Sequence, residues 1–329
     1  MKKVKIIAEA GVNHNGDLSV AKKMISTAKR IGADAIKFQT FIAENLASKE
    51  AKLASYQKKT GHHSQYNLLK ELELSFEQFI ELKSYADKNN IEFMSTAFDK
   101  DSALFLAKLG IQTWKIPSGE ITNLPYLRLI DQLSKNIIIS TGMSTIDEIK
   151  NTLKVFKSEH SKITLLHCTS EYPAPKNEVN LKAINSMQAL FKLDVGYSDH
   201  TEGIEVPIAA VALGATIIEK HFTLDKTMSG PDHSSSIEPH EFELMVNQIR
   251  NVESALGDGE KRVVDSELKN RILVRKSIFA KKNIFKGEVF SSENITTKRP
   301  GNGISPMEWD NVIGKKAPKN FQPDEPIIL

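Results

Sequence analysis

Two histidines end short β-branched runs: His200 closes "VGYSDH" and His221 closes "TIIEKH". Neutral imidazoles are common metal ligands, and two of them with no cysteine beside them suit an open divalent site that leaves room for water and substrate. Two lysines, Lys37 in "DAIKFQT" and Lys115 in "TWKIPSGE", interrupt equally apolar runs. A lysine buried there needs an anionic partner. That partner is either a carboxylate such as Glu9 or Glu120, or a phosphate, which the hydroxyls and backbone N–H groups of Ser118-Gly119 and Ser140-Thr141-Gly142 would also suit. Three carboxylates, Glu9, Glu120 and Asp232, could accept from the hydroxyls of a polyhydroxylated substrate or serve as a base. Glu219 and Lys220 flank His221 with no role assigned. His14, His62, His63, His233 and His240 fall in loops or helices and are expected to be solvated, and His167 is expected to be structural.

These residues need a frame that brings them together. Eight short apolar runs recur before residue 257: "VKIIAEAG", "DAIKFQT", "IEFMSTAF", "TWKIPSGE", "NIIISTGM", "ITLLHCTS", "VGYSDH" and "TIIEKHF". Amphipathic helical patterns separate them, as in "DLSVAKKMISTAKRIG", where Asp17 and Ser19 signal the start and Gly32 the stop. Eight strand–helix units predict an α/β fold, a (β/α)8 TIM barrel; an open doubly wound sheet would usually carry a GxGxxG turn, and none follows a strand here. In such a barrel the C-terminal strand tips build the active site, and all eight tips carry polar residues. About fifty residues separate the second strand from the third, long enough to predict a lid. Beyond "ESALGDGEKRVVDSELKN" the pattern shifts to short strands and turns at Gly287, Pro300, Gly301 and Gly303. The expected organisation is a barrel over 1–258, a linker over 259–277 and a small, mostly β domain over 278–329.

The chain has 329 residues, a net charge of +3 and one cysteine, Cys168, which rules out an internal disulfide and a zinc-thiolate cluster. No apolar stretch matches a membrane span and the N-terminus lacks a signal-peptide h-region, so a cytoplasmic protein with no membrane partner is expected. Residues 261–320 hold 14 Lys/Arg against 6 Asp/Glu, leaving the rest net acidic. These basic residues are scattered among apolar ones, which fits an anionic substrate or the acidic face of a partner subunit better than nucleic acid.

Nine ordered motifs, "AEAGVNHNGD", "IKFQT", "WKIPSGE", "ISTGM", "HCTSEYPAP", "GYSDHT", "EKHFTLDK", "SGPDH" and "KRPGNGISPMEW", together resemble the bacterial sialic acid synthases, the family that includes N-acetylneuraminate synthase and the enzymes making legionaminic and pseudaminic acid. The resemblance spans nearly the whole chain. It implies a barrel followed by an antifreeze-like (SAF) domain, in a homodimer whose C-terminal domains are swapped over each other's active sites. The implied reaction condenses phosphoenolpyruvate with an N-acylated mannosamine-type sugar and releases phosphate. By motif, His200 and His221 would hold a divalent metal, Mn²⁺ first, with Mg²⁺ or Co²⁺ as alternatives. Lys37, Lys115, Ser118 and Ser140 would bind phosphoenolpyruvate, with Ser170 standing where some members carry asparagine. Glu9 would lie beside the reacting centre; Gln39, Glu120, Tyr172 and Asp232 would contact the sugar; Arg299 would reach its N-acyl group from the other subunit. The expected product is N-acetylneuraminate, made from N-acetylmannosamine. The alternative is N,N'-diacetyllegionaminate, made from 2,4-diacetamido-2,4,6-trideoxymannose. A Schiff-base aldolase using a strand-tip lysine is a more distant alternative.

Overall fold

Period-two alternation decides what each strand shows to either side of a closed sheet. The computed structural model describes residues 3–53, 64–134, 136–157 and 162–329. They divide into two units, Met1–Asp258 and Gly259–Leu329. In the first, eight parallel strands close in chain order into a (β/α)8 barrel: β1 (Lys5–Gly11), β2 (Ala35–Thr40), β3 (Glu92–Ala97), β4 (Thr113–Ile116), β5 (Asn136–Ser140), β6 (Lys162–Cys168), β7 (Asp194–Asp199) and β8 (Ile217–His221).

Inside the barrel, Ile7, Ala35, Met94, Ile138, Leu166 and Ile217 form an apolar floor. Two residues further along, the same faces carry Glu9, Lys37, Thr96, Ser140, Cys168 and Glu219, all buried. The step from floor to chemistry is therefore one side-chain layer. The alternate residues, among them Ile6, Ile36, Phe93, Ile139 and Leu165, point outward into the larger core shared with the helices.

The first barrel helix, Leu18–Arg30, begins where Asp17 accepts from the backbone N–H groups of Ser19 and Val20, and Gly32 follows it at φ 85°. That is the start and stop read from the sequence, with the cap supplied by Asp17. Closure is pinned at the opposite end from the strand tips. Asp34 accepts from Ile6 N at 2.9 Å and from Lys3 Nζ and Arg250 Nη2 at 2.7 Å each. Arg250, on the last barrel helix (Pro239–Leu256), also donates to Val4 O at 2.8 Å.

Between β2 and β3 the chain forms helices at Ala43–Leu46, Gln65–Leu72 and Phe76–Lys88. Val12, Phe41, Leu68, Leu69 and Leu72 give this excursion an apolar cluster of its own. Part of the lid expected here, residues 54–63 with His62 and His63, lies outside the described residues.

In the second unit, β9 (Ser277–Ala280) pairs antiparallel with β10 (Ile295–Lys298). Ile278, Ile284, Phe290, Val312 and Phe321 are among the residues of its core, with Phe290 and Phe321 in edge contact at 5.8 Å. A helix at Asp265–Val274 buries none of its residues, although Leu268, Ile272, Leu273 and Val274 are apolar. Among the described residues no helix is long and apolar enough to cross a membrane.

Candidate active site

The polar layer at the strand tips opens into a cavity of about 410 Å³. Its lining includes Glu9, Lys37, Gln39, Lys115, Ser118 and Ser140, together with Ser170, Tyr172 and His200. Nine of the thirteen positions read from the sequence therefore face one space.

Both lysines are buried, and both find anions. Lys37 Nζ lies 2.7 Å from Glu9 Oε2 and 3.6 Å from Glu219 Oε2. Lys115 Nζ lies 3.7 Å from Glu219 Oε1 and donates to Ser140 Oγ at 2.6 Å. Glu219, to which the sequence alone assigns no role, joins the two lysines, and Ser198 Oγ donates to it at 3.0 Å. The available signal was parity: Glu219 is two residues before His221 on β8, so the two share the inward face.

Charge is unevenly divided across this cluster. Burial raises the Glu9 carboxyl toward neutrality, and Lys37 only partly offsets it. Burial opposes ionisation of Glu219 too, but Lys115 and Lys37 together overcome it and hold that carboxylate below its ordinary range. Lys37 is raised, because Glu219 and Glu9 outweigh its desolvation, whereas burial leaves Lys115 lowered. A firm anion between two cations, beside a carboxyl able to exchange a proton near neutral pH, is the arrangement acid–base chemistry needs.

Next to Lys115 the wall is built for close approach. Gly142 N donates to Ser118 Oγ at 3.0 Å, and Ser118 Oγ is 3.3 Å from Cys168 Sγ. A Cβ at Gly142 would sit 2.2 Å from Ser170 Oγ and 2.9 Å from Ser118 Oγ, so only glycine leaves these hydroxyls in place. An ammonium and several hydroxyls beside a bare glycine are the parts of an anion cradle.

Opposite this wall the two histidines converge, with ring centroids 5.5 Å apart. His200 Nδ1 is 2.6 Å from Thr169 O, and since a carbonyl only accepts, that nitrogen carries the proton and Nε2 keeps its lone pair. Nε2 faces Tyr172 Oη at 3.2 Å. Burial lowers both imidazoles, and His200 and Lys37 press His221 well below its ordinary value. His221 Nδ1 is buried without a hydrogen-bond partner, 3.9 Å from Asp232 Oδ2. Burial alone raises the Asp232 carboxyl to about 6. Two neutral imidazoles, one with an orphaned ring nitrogen, fit a divalent cation held by few protein ligands. Among the described residues no group of three or more His, Cys, Asp or Glu closes around such an ion.

Other sequence expectations resolve differently. Glu120 lies on the Ser118–Glu120 turn, accepts from Asn123 Nδ2 at 2.6 Å and is not part of the cavity lining. Arg299 is exposed in the C-terminal unit, after β10. His14 and His233 are buried, contrary to the solvated state expected for loop histidines. His233 Nδ1 meets Thr223 Oγ1 at 2.6 Å, and His14 accepts from Gly16 N at 3.1 Å, with burial pushing its pKa to about 4. His233 Nε2 also bonds Asn15 Oδ1 at 3.2 Å, which ties the loop after β8 to the loop after β1, where Asn13 donates to Phe222 O and Ser236 Oγ at 2.9 Å each. Loops that support a site are buried more often than their polar composition suggests. His167 donates to Val179 O at 2.6 Å, a structural role.

A barrel with this site can now be set beside known proteins. The NeuB family model matches residues 24–261 and the SAF domain model matches residues 275–328. The chain belongs to the NeuB family. The N,N'-diacetyllegionaminic acid synthases of Campylobacter jejuni and Legionella pneumophila are 57% and 48% identical to it, covering 99% and 96% of this chain and 99% and 91% of their own. The solved N-acetylneuraminic acid synthetase of Leptospira borgpetersenii, in complex with citrate, superposes with a TM-score of 0.73 at 37% identity, covering 82% of this chain and 90% of its own. As a NeuB family member the chain is an enzyme, a transferase of the nonulosonic acid synthase kind. By identity it stands nearer to these two legionaminic acid synthases than to this neuraminic one.

Proposed function

We propose that this protein is an N,N'-diacetyllegionaminate synthase, condensing phosphoenolpyruvate with 2,4-diacetamido-2,4,6-trideoxymannose and releasing phosphate. The observation that carries the sugar assignment is 57% identity over essentially the whole chain to a synthase of that product. The cavity agrees with it: Leu46, Leu69 and Phe98 give the lining an apolar side, suited to a sugar with a methyl at C6 and two acetamido groups.

Lys37, Lys115, Ser118, Ser140 and Ser170 would take the anionic groups of phosphoenolpyruvate. Its C3 attacks the aldehyde carbon of the sugar, forming the new C–C bond, and water adds at C2. Glu9, with a carboxyl raised toward neutrality, would accept the proton of that water. The C2–O bond to phosphate then breaks and the C2 ketone forms. The aldehyde oxygen gains a proton as the C–C bond is made, and Asp232 is the carboxyl beside His221 that is partly protonated near neutral pH. Glu219 stays ionised and holds both lysines as they meet the substrate. Gln39 and Tyr172 would orient the sugar. His200 and His221 would hold a divalent ion, with Mn²⁺ preferred, and such an ion when bound supplies Lewis-acid polarisation of the aldehyde oxygen.

We also read the working enzyme as a cytoplasmic homodimer in which the C-terminal unit of one subunit, with Arg299 as a further sugar contact, completes the site of the other. The exposed apolar residues of the Asp265–Val274 helix support a partner. A Schiff-base aldolase on Lys37 is disfavoured, because Glu219 and Glu9 hold that lysine as an ammonium; Lys115, lowered by burial, is the lysine on which such chemistry would be trapped. The test is phosphate release from phosphoenolpyruvate with the diacetamido sugar, before and after chelation. Release that chelator abolishes and Mn²⁺ restores supports the reading; release unaffected by chelator, with borohydride trapping of sugar on a lysine, replaces it with the aldolase.

A further inference from the structure

Lys220 is fully buried, points away from the cavity and takes no part in the chemistry above. Its place in the sheet is specific. Asp199 and Lys220 are register partners on β7 and β8, each one residue before a predicted metal-binding histidine. Because side chains alternate, His200 and His221 face inward while Asp199 and Lys220 face the helices. Lys220 Nζ donates to Asp199 Oδ2 at 2.5 Å and to Thr201 O at 2.7 Å. Thus Lys220 grips the chain on both sides of His200. That matters because β7 ends at Asp199, so His200 lies just past the last residue the strand holds.

The carboxylate of Asp199 is equally committed. Asp199 Oδ1 accepts from Tyr197 Oη at 3.0 Å, from Thr201 N at 3.0 Å and from Thr201 Oγ1 at 2.9 Å. A buried ion pair is weak evidence for stability, since an apolar pair of similar volume often does as well, and its better-attested use is to fix register. An apolar pair could not hold the Thr201 carbonyl.

We propose that Asp199 and Lys220 are positioning residues: from behind the barrel wall they set the separation of His200 and His221, and through it the affinity of the site for a divalent cation. This rests on the reading of the two histidines as metal ligands. Partners behind metal ligands typically change affinity by about 10–100-fold when removed. They touch neither substrate nor the ion.

The experiment is Mn²⁺ binding to the purified full chain by isothermal titration calorimetry, with no substrate present, alongside melting temperature. The double variant Asp199→Asn/Lys220→Met removes both charges together and leaves neither stranded. It is expected to fold and to bind phosphoenolpyruvate as the wild type does, but to bind Mn²⁺ at least about tenfold more weakly. Turnover should recover at high Mn²⁺, which a purely structural role would not produce. Should the double variant fail to fold, Tyr197→Phe deletes one hydrogen bond to Asp199 at nearly constant volume and is expected to weaken Mn²⁺ binding about twofold or more. His200→Ala separates the two readings. If it binds Mn²⁺ as tightly as wild type, the histidines are not the metal site; if it loses Mn²⁺ while the folded Asp199 and Tyr197 variants bind normally, the positioning role is overturned.

Discussion

Lys37 Nζ sits 2.7 Å from Glu9 Oε2, and the two residues are register partners on β1 and β2. Even so close a cation does not return Glu9 to the ordinary carboxylate range, because burial is the larger effect. A base poised near the working pH is what proton transfer from water requires.

Glu9→Gln keeps the shape and removes the proton acceptor. Turnover is expected to fall about 10²–10⁴-fold with the KM for phosphoenolpyruvate little changed. In the wild type, kcat/KM should rise as pH increases through the neutral region, where the raised Glu9 carboxyl ionises, and the variant should lose that limb. A wild-type limb that survives in Glu9→Gln would assign it to another group.

Lys115→Met should act on the other substrate. Its ammonium faces Ser140 and the glycine-lined wall, so the KM for phosphoenolpyruvate is expected to rise about tenfold or more and the sugar KM to change little. Steady-state kinetics with each substrate varied in turn reads the difference. Equal effects on both would remove Lys115 from the anion cradle.

On the apolar side, Leu46→Asn introduces an amide where a deoxy sugar would place a methyl. The ratio of kcat/KM for 2,4-diacetamido-2,4,6-trideoxymannose over N-acetylmannosamine is expected to drop about tenfold, as one misplaced polar contact in an apolar pocket does. An unchanged ratio would mean that Leu46 does not meet the sugar.

Far from the cavity, Asp34 ties β1 to the last barrel helix. Burial opposes its ionisation, but Lys3, the Ile6 N–H and Arg250 outweigh that and hold its pKa below the ordinary value. A carboxylate depressed in the folded state contributes stability that is present above the unfolded value, near 3.9, and lost as pH falls through the folded one. Asp34→Asn should cost about 1–2 kcal/mol at pH 7, after allowance for the solvent that reaches the pair. It should also flatten the acid side of the urea-midpoint profile. A variant as acid-sensitive as wild type would show that other carboxylates set that limb.

Much of this was legible in the residues. All eight strands follow from β-branched runs, and the polar residue at each tip follows from where such a run stops. Glu219 was not legible as a site residue, because a carboxylate between an isoleucine and a lysine looks the same whichever way it points; only strand parity, counted from His221, turns it inward. Lys220 was obscure for the complementary reason: its anion, Asp199, is twenty-one positions away and visible only once β7 and β8 pair. His14 and His233 depart from expectation because loop histidines are usually wet, whereas these two are buried where the loops after β1 and β8 meet, His233 bonding Asn15 across them. Glu120 was expected to face the sugar, but a local partner three residues on, Asn123, takes its carboxylate.

The choice of sugar separates the two synthase activities. The most direct measurement is a competition: purified protein, Mn²⁺ and phosphoenolpyruvate, with 2,4-diacetamido-2,4,6-trideoxymannose and N-acetylmannosamine present at equal concentration, and the nonulosonic acids separated and identified by mass. N,N'-diacetyllegionaminate is expected to exceed N-acetylneuraminate by at least about tenfold, the discrimination a pocket of this kind can supply. An excess of N-acetylneuraminate would contradict the account and restore the product first expected from the sequence.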